Sequence, residues 1–193
     1  TLFRSKYDEQ KMKEVMDFSE GYKKFISECK TERECVTESI KIAEAHGYRN
    51  LEDVIRNQET LKPGDKVYAN NMGKTIALFL IGKEPLEKGM KILGAHIDSP
   101  RLDLKQNPLY EDKDLAMLET HYYGGIKKYQ WVTLPLAMHG VIVRKDGSSV
   151  QVNIGENEND PVVGISDLLV HLSSDQLGKK GSVVIEGEDL NIT

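Results

Sequence analysis

The sequence has few cysteines and no long hydrophobic run, and each shortage excludes a class of protein. Its two cysteines, Cys29 and Cys35, are too few to staple a domain of this size, so we expect reduced thiols. The longest apolar run, Ile76 to Ile81, has six residues, whereas a membrane-spanning helix needs roughly 20. The sequence therefore predicts neither a disulfide scaffold nor a membrane span.

Charge and the N-terminal residues exclude two further classes. Residues 1–16 are charged almost from their start and lack the apolar segment of a signal peptide, which predicts a cytoplasmic protein. There are 26 Lys and Arg against 31 Asp and Glu, with a net charge of -5 and no basic block, so we expect no nucleic-acid partner. The 193 residues, 39% of them hydrophobic, suit one or two soluble domains.

The first quarter of the chain is typical of helices. Apolar residues recur at intervals of three and four over residues 11–29, the period of an amphipathic helix. Thr31 and Glu34 form a capping-box pattern that predicts a second helix, which Gly47 can end. Asn50 is placed to cap a short third helix, and residues 62–65 predict a turn.

The pattern then changes to strands. Residues 66–72, 75–81 and 91–96 are rich in strand-forming residues and are separated by short links, so we expect adjacent strands of one sheet. The continuous apolar runs Ile76 to Ile81 and Ile92 to Ala95 favour central strands covered on both faces. Helices with a covered sheet predict an α/β fold.

A second, β-rich unit is predicted from residue 105, with residues 1–104 as the first domain and 105–193 as the second. It consists of short strand-like segments, at residues 117–123, 130–138, 140–144 and 150–154. Residues 145–148 (K-D-G-S) are typical of a hairpin turn. A helix is predicted from Ser166 to Leu177. An acidic loop at residues 156–160 lacks the ligand spacing of an EF-hand.

Residues 94–103 are the strongest candidate for chemistry, because an apolar run leads directly into His96 and Asp98. In a strand, residues two apart point to the same face. A metal-binding imidazole commonly has its second ring nitrogen hydrogen-bonded to a carboxylate, and Asp98 is placed to provide this for His96. The alternative is a histidine that only hydrogen-bonds a neighbour, since H-x-D alone has low specificity.

Structural roles are expected for the other histidines and for Trp131. His46 stands at a helix end, where an imidazole complements the helix dipole. We expect His121 and His139 to make hydrogen bonds inside the β-rich unit, and His171 to lie on the late helix. Trp131 is expected to anchor a core or an interface.

Residues 95–102 (A-H-I-D-S-P-R-L) resemble the H-x-D-S-P-x-L motif of the M18 metalloaminopeptidases. The N-terminal helical pair resembles the same family, and three further segments follow in the same order, namely residues 69–75 (A-N-N-M-G-K-T), 120–126 (T-H-Y-Y-G-G-I) with Trp131 nearby, and 185–192 (I-E-G-E-D-L-N-I). Several matches in order are more specific than one motif, and together they cover nearly the whole chain.

The resemblance implies a zinc-exopeptidase-like α/β core interrupted by a β-rich dimerisation domain. It implies removal of single N-terminal residues from peptide substrates by water activated between two zinc ions, with cobalt or manganese as possible substitutes. His96 would be a zinc ligand and Asp98 the catalytic-site carboxylate that orients it. Members assemble from dimers into homo-oligomers, typically dodecamers.

The remaining ligands and the general base of the family lie downstream of the point that matches Thr193. We therefore expect this chain to be part of a longer protein and inactive alone. Two alternatives stay open. The first is a non-catalytic oligomerisation or regulatory fragment of an aminopeptidase-like protein, and the second is a mononuclear site that His96 and Asp98 form with another histidine.

Residues 124–131 (G-G-I-K-K-Y-Q-W) depart from the aspartyl aminopeptidases, which carry a histidine in this segment that reaches the active site of the dimer partner. Lys127, Lys128 or Tyr129 would occupy that place. A lysine there would bind a peptide carboxylate or carbonyl, whereas the alternative is that both lysines are solvated loop charge.

Overall fold

The computed structural model of the protein describes residues 6–193. The chain divides between Asp98 and Ser99 into two compact units, a few residues before the boundary predicted at residue 104. The roles predicted for the two units stay predictions. No helix within residues 6–193 is long and apolar enough to cross a lipid bilayer.

The first unit begins with three helices, all at predicted places: α1 (Glu9–Glu28), α2 (Glu32–Ala45) and α3 (Leu51–Arg56). The capping box is confirmed, because the Thr31 hydroxyl accepts the Glu34 N–H while the Glu34 carboxylate accepts the Thr31 N–H. The Asn50 side chain caps α3 by accepting the Glu52 N–H at 2.9 Å. Local side-chain chemistry therefore sets where α2 and α3 start.

A three-stranded sheet with the order β1-β2-β3 completes the first unit. β1 (Arg49–Asn50) lies parallel to β2 (Lys66–Asn71), and β3 (Thr75–Leu80) lies antiparallel to β2. The buried apolar residues come from the middle strand and from the helices that pack near it, and they are Cys29, Cys35, Val36, Ala43, Val54, Val67 and Tyr68. The central position of β2 explains why its side chains are the best covered.

Two strand predictions are wrong. β3 pairs as predicted with β2 but is an edge strand whose side chains are largely exposed, not a central strand covered on both faces. The run Ile92 to Ala95 forms no strand, and residues 91–100 have no regular structure. The physical reason is that a strand needs backbone partners and cover for its faces. Among the described residues, β3 pairs with β2 on one edge only, and residues 91–100 pair with no strand.

The second unit contains three two-stranded sheets, which pair β4 (Arg101–Asp112) with β5 (Leu115–Tyr123), β6 (Pro135–Leu136) with β9 (Val163–Gly164), and β7 (Met138–Val143) with β8 (Ser149–Ile154). The predicted hairpin turn joins β7 and β8, where Arg144 N–H donates to the Ser148 carbonyl at 2.8 Å. The run 130–138 is only partly a strand, because residues 131–133 form a turn and only β6 and the first residue of β7 fall within the run.

The predicted helix from Ser166 to Leu177 is also wrong. A 3₁₀ turn at Val170–Leu172 and a single helical turn, α4 (Ser174–Leu177), take its place. The leucines of this segment are exposed. Because short helices depend on packing of an apolar face for their stability, a segment with no covered face stays irregular.

The core of the second unit is built by its last residues. Ile165, Ile185, Leu190 and Ile192 form a buried cluster, against which Leu102, Leu118 and Trp131 pack. Ile192 forms a bridge with Leu118 of β5, and the Thr120 hydroxyl donates to the Leu190 carbonyl at 2.6 Å. Trp131 therefore has the core role that the sequence predicts.

Leu190 is fully buried in this cluster. Replacing it with alanine is expected to lower the free energy of unfolding by about 2–5 kcal/mol, because the substitution leaves a cavity. Urea unfolding followed by fluorescence of Trp131, which packs on the cluster, measures the effect. The matched control is Leu172→Ala at an exposed position, where a change within about 0.5 kcal/mol is expected. Equal losses in both variants would contradict this account of the core.

Cys29 and Cys35 are both free, as the sequence predicts, and both are buried. Burial is the main cause that raises the pKa of the Cys29 thiol from 9.0 to about 11, and the nearby Cys35 and Glu38 add to it. Burial also raises the pKa of Cys35. Because the folded state holds the Cys29 proton more tightly, this contribution to stability is present below pH 9 and is lost as the pH rises to about 11.

We expect Cys29 in the folded protein to react with a thiol reagent such as DTNB at pH 8 about 100-fold more slowly than in urea, because the thiolate is the reactive form. The rate should rise with pH up to about 11. Cys29→Ser and Cys35→Ser variants assign the two thiols. Immediate reaction of both thiols in the native state would show that they are neither buried nor shifted.

Candidate metal-binding segment

His96 and Asp98 lie in the irregular segment that follows a 3₁₀ turn at Leu86–Lys88. The imidazole Nδ1 of His96 is 3.0 Å from the backbone carbonyl of Asp98 and 3.2 Å from its carboxylate Oδ1. A carbonyl oxygen can only accept a hydrogen bond, so Nδ1 carries the proton. The two residues therefore interact as the sequence predicts, although the backbone between them is not a strand.

This hydrogen bonding fixes the chemistry of the ring. With the proton on Nδ1, the neutral imidazole keeps its lone pair on Nε2, the atom available to an external ligand. The His96 side chain is 84% exposed and that of Asp98 is 35% exposed. The arrangement is thus an outward-facing imidazole whose tautomer is held by a neighbouring residue.

One imidazole is a small part of a metal site. A catalytic zinc site takes about three protein ligands. Among residues 6–193 no group of three or more His, Cys, Asp or Glu side chains is placed to hold a metal ion. The described part of the chain therefore offers His96 as a single ligand with a supporting carboxylate.

Lys127 and Lys128 lie in the second unit, at the start of the 3₁₀ turn Lys128–Gln130. The Lys128 ammonium is 5.5 Å from the ring centroid of Tyr122. Lys128 is half-buried. Lys127 is exposed. The two adjacent lysines thus differ, because Lys128 is held against an aromatic ring while Lys127 faces solvent.

The sequence interpretation missed a row of polar side chains on β4 and β5 that form ion pairs with one another. Arg101 donates from Nε to Asp103 Oδ1 at 2.7 Å, and its guanidinium lies 4.3 Å from the Tyr123 ring centroid. Lys105 contacts Glu119 at 3.6 Å and Glu188 at 3.3 Å, and its hydrogen bond to Glu188 raises its pKa. The signal was the alternation of polar residues at 101, 103 and 105, which places them on one face of a strand.

Three of the other four histidines have structural contacts. His46 Nδ1 is 2.8 Å from the Ile42 carbonyl at the end of α2, which confirms the capping role. His139 Nε2 is 2.9 Å from the Glu156 carboxylate, and the His121 ring stacks on Tyr122. His171 lies in an exposed 3₁₀ turn and not on the long helix that was predicted.

Three comparisons with known proteins bear on these residues. The sequence model of a family described as aminopeptidase I zinc metalloprotease (M18) matches residues 25–191. The probable M18 family aminopeptidase 1 of Clostridium acetobutylicum is 73% identical over 97% of this chain, which corresponds to 40% of the relative. This chain spans about 40% of the length of the curated relatives it matches.

Solved structures agree with the sequence match. The crystal structure of aminopeptidase I from Clostridium acetobutylicum covers 97% of this chain at 67% identity, with a TM-score of 0.83. The aligned part is 41% of that protein's chain. The M18 aminopeptidase of Thermotoga maritima covers 95% of this chain at 43% identity and a TM-score of 0.84, using 39% of its length. The chain therefore belongs to the M18 peptidase family, whose members are described as zinc metalloproteases of the aminopeptidase I type.

Proposed function

We propose that this chain supplies part of the active site of a zinc-dependent aminopeptidase that releases single N-terminal residues from peptides. His96 is one metal ligand through Nε2, and Asp98 orients it. The observation that carries the proposal is the Nδ1 hydrogen bond to Asp98, which leaves Nε2 as the basic atom on an exposed ring. This arrangement fits the chemistry of a zinc ligand with its outer carboxylate.

Each residue has a distinct task in this proposal. Two zinc ions, when bound, supply polarisation of the scissile carbonyl and an activated water as nucleophile. Asp98 keeps the proton on Nδ1 and restricts rotation of the ring, so His96 presents its lone pair in one direction. The remaining ligands and the general base come from the part of an M18 protein that these 193 residues do not include.

Lys127 and the second unit complete the proposal. Lys127 is exposed, which supports it as the lysine that binds a carboxylate or carbonyl of a peptide substrate in the active site of a dimer partner, while Lys128 stays against Tyr122. The second unit acts as a dimerisation insert of a homo-oligomer. Its exposed Leu168, Leu169 and Leu172 support that role, since clustered exposed apolar side chains mark interaction surfaces.

The 193-residue chain alone is expected to retain almost no zinc after exposure to zinc and desalting, because one imidazole is too few ligands. Elemental analysis of the chain and of His96→Ala measures this, and both should give values near zero. One zinc per chain that disappears in His96→Ala would show that the site is complete here, as the mononuclear alternative requires.

The proposed activity is tested in a chimera that joins residues 1–193 to the part of the Clostridium acetobutylicum relative beyond the aligned segment. We expect turnover of aminoacyl p-nitroanilides. His96→Ala should abolish it, and Asp98→Asn should reduce activity or zinc affinity by about 10–100-fold through the loss of ring orientation.

His46→Gln is the matched control for the chimera, because this histidine is also exposed and lies at the end of α2, outside the proposed site and the proposed dimerisation surface. Its activity should equal that of the parent. A folded chimera without turnover would favour the alternative of a non-catalytic oligomerisation fragment, and equal losses in His96→Ala and His46→Gln would remove His96 from the site.

A further inference from the structure

Cys29 and Cys35 form a pair of thiols that the proposed function does not use. Both are free, and they are 9% and 8% exposed. The Cys29 thiol donates a hydrogen bond to the Cys35 sulfur, so the two sulfur atoms are already in contact. Close approach of the two side chains is the first geometric requirement of a disulfide.

Backbone hydrogen bonds hold both cysteines in place. Cys29 is the C-cap of α1, and its N–H donates to the Phe25 carbonyl at 3.0 Å. Cys35 lies near the start of α2, and its N–H donates to the Thr31 carbonyl at 3.0 Å. Each thiol is therefore attached to the ordered end of a helix.

The link between the two cysteines is fixed as well. One carboxylate oxygen of Glu34 accepts the Lys30 N–H at 2.8 Å and the Thr31 N–H at 2.9 Å. The Thr31 hydroxyl accepts the Glu34 N–H in return. A fixed link holds two reacting groups together and so favours their reaction with each other. The pair is thus arranged for an intramolecular reaction.

We propose that Cys29 and Cys35 are a site of reversible oxidation, at which a hydroperoxide converts the two thiols to an internal disulfide. The bond joins the end of α1 to the start of α2. None of the residues Glu9–Glu28 of α1 is buried, so the disulfide gives this helix an attachment that packing does not provide. No step uses His96 or a metal ion, so the site goes beyond the proposed peptidase function.

Cys35 is the thiol that attacks the peroxide. Burial raises the pKa of both thiols, but their shared hydrogen bond acts to lower the pKa of Cys35 and to raise that of Cys29. Cys35 therefore ionises more readily. Its thiolate attacks one peroxide oxygen and the O–O bond breaks. The departing hydroxide takes a proton to form water, and Cys35 becomes a sulfenic acid.

Cys29 then completes the disulfide. Its sulfur attacks Sγ of Cys35, the S–O bond breaks, and the departing hydroxide takes the Cys29 proton to form a second water. The two thiols together lose two electrons and two protons, and one hydrogen peroxide is reduced to two waters. A dithiol such as dithiothreitol reverses the oxidation by thiol–disulfide exchange.

The surroundings of the pair make the first step slow. Burial is the largest cause that raises the pKa of both thiols, and the charge of Glu34 adds to it. Because only the thiolate attacks, the folded chain should react with peroxide at neutral pH more slowly than free cysteine does. The site therefore responds to sustained oxidation.

Hydrogen peroxide treatment of the 193-residue chain tests the proposal. Trypsin cleaves after Lys30 and Arg33, which lie between the two cysteines. After remaining thiols are blocked with iodoacetamide, a non-reduced digest joins residues 25–30 to residues 34–41 only if the disulfide has formed. We expect this cross-linked peptide by mass spectrometry, no disulfide-linked dimer on a non-reducing gel, and recovery of both thiols with dithiothreitol.

Single variants test the order of attack. In Cys29→Ser the sulfenic acid of Cys35 has no thiol to react with, so dimedone should label it. In Cys35→Ser, labelling of Cys29 should be at least about tenfold slower at the same peroxide concentration, because Cys29 ionises less readily. Circular dichroism of both variants should match the parent. The digest of the parent chain tests the disulfide whether or not the variants fold.

Hydrogen exchange tests the attachment of α1. In the oxidised chain, the amides of residues 26–29 should exchange at least about tenfold more slowly than in the reduced chain, because the new bond suppresses fraying of the helix end. The matched control is the amides of α3 (Leu51–Arg56), which should exchange equally in both forms.

Three results would overturn the proposal: both thiols still free after prolonged exposure to peroxide, oxidation of Cys35 to a sulfinic acid without the cross-linked peptide, or disulfides only between chains. Faster labelling of Cys29 in Cys35→Ser than of Cys35 in Cys29→Ser would overturn the order of attack. Unchanged exchange at residues 26–29 would overturn the attachment of α1.

Discussion

An extended strand needs hydrogen-bond partners on both edges and cover on both faces. The rest of this structure depends on this constraint. β2 meets it, since β1 and β3 flank it and Val67 and Tyr68 are buried. The Tyr68 hydroxyl donates to Glu44 of α2 at 2.7 Å, so the strand is also tied to a helix. β3 meets the constraint on one edge only, and Ile92–Ala95 on neither.

The same constraint separates what could be predicted from the sequence from what could not. The starts of α2 and α3 depend on Thr31, Glu34 and Asn50, which act on backbone groups a few residues away, and these starts were predicted. The strand state of Ile92–Ala95 depends on distant partners, so a local pattern could not decide it. The helix predicted at Ser166–Leu177 failed for the same reason, because its leucines are exposed and no element among residues 6–193 covers them.

At the candidate site, the predicted contact is confirmed but the predicted backbone is wrong. The spacing of His96 and Asp98 predicted their interaction, but the argument assumed a strand, and the observed backbone is irregular. The two residues stay in contact without a strand because the imidazole Nδ1 also bonds to the Asp98 backbone carbonyl at 3.0 Å. A pattern of side chains in the sequence does not indicate this backbone contact. A short local contact can thus hold the tautomer of a ring without regular secondary structure around it. The number of ligands, by contrast, depends on how distant segments meet, and the sequence of one segment does not contain it.

The bridge between β5 and residues 190–192 has a consequence for the order of folding. Thr120 and Leu190 are 70 positions apart in the chain, yet their hydrogen bond lies inside the core of the second unit. Contacts of such sequence separation slow folding, because the loop between them must close first. During synthesis, the core of the second unit therefore cannot close before residue 192 has left the ribosome. Until then Leu102 of β4 and Leu118 of β5, which pack on that core, stay uncovered.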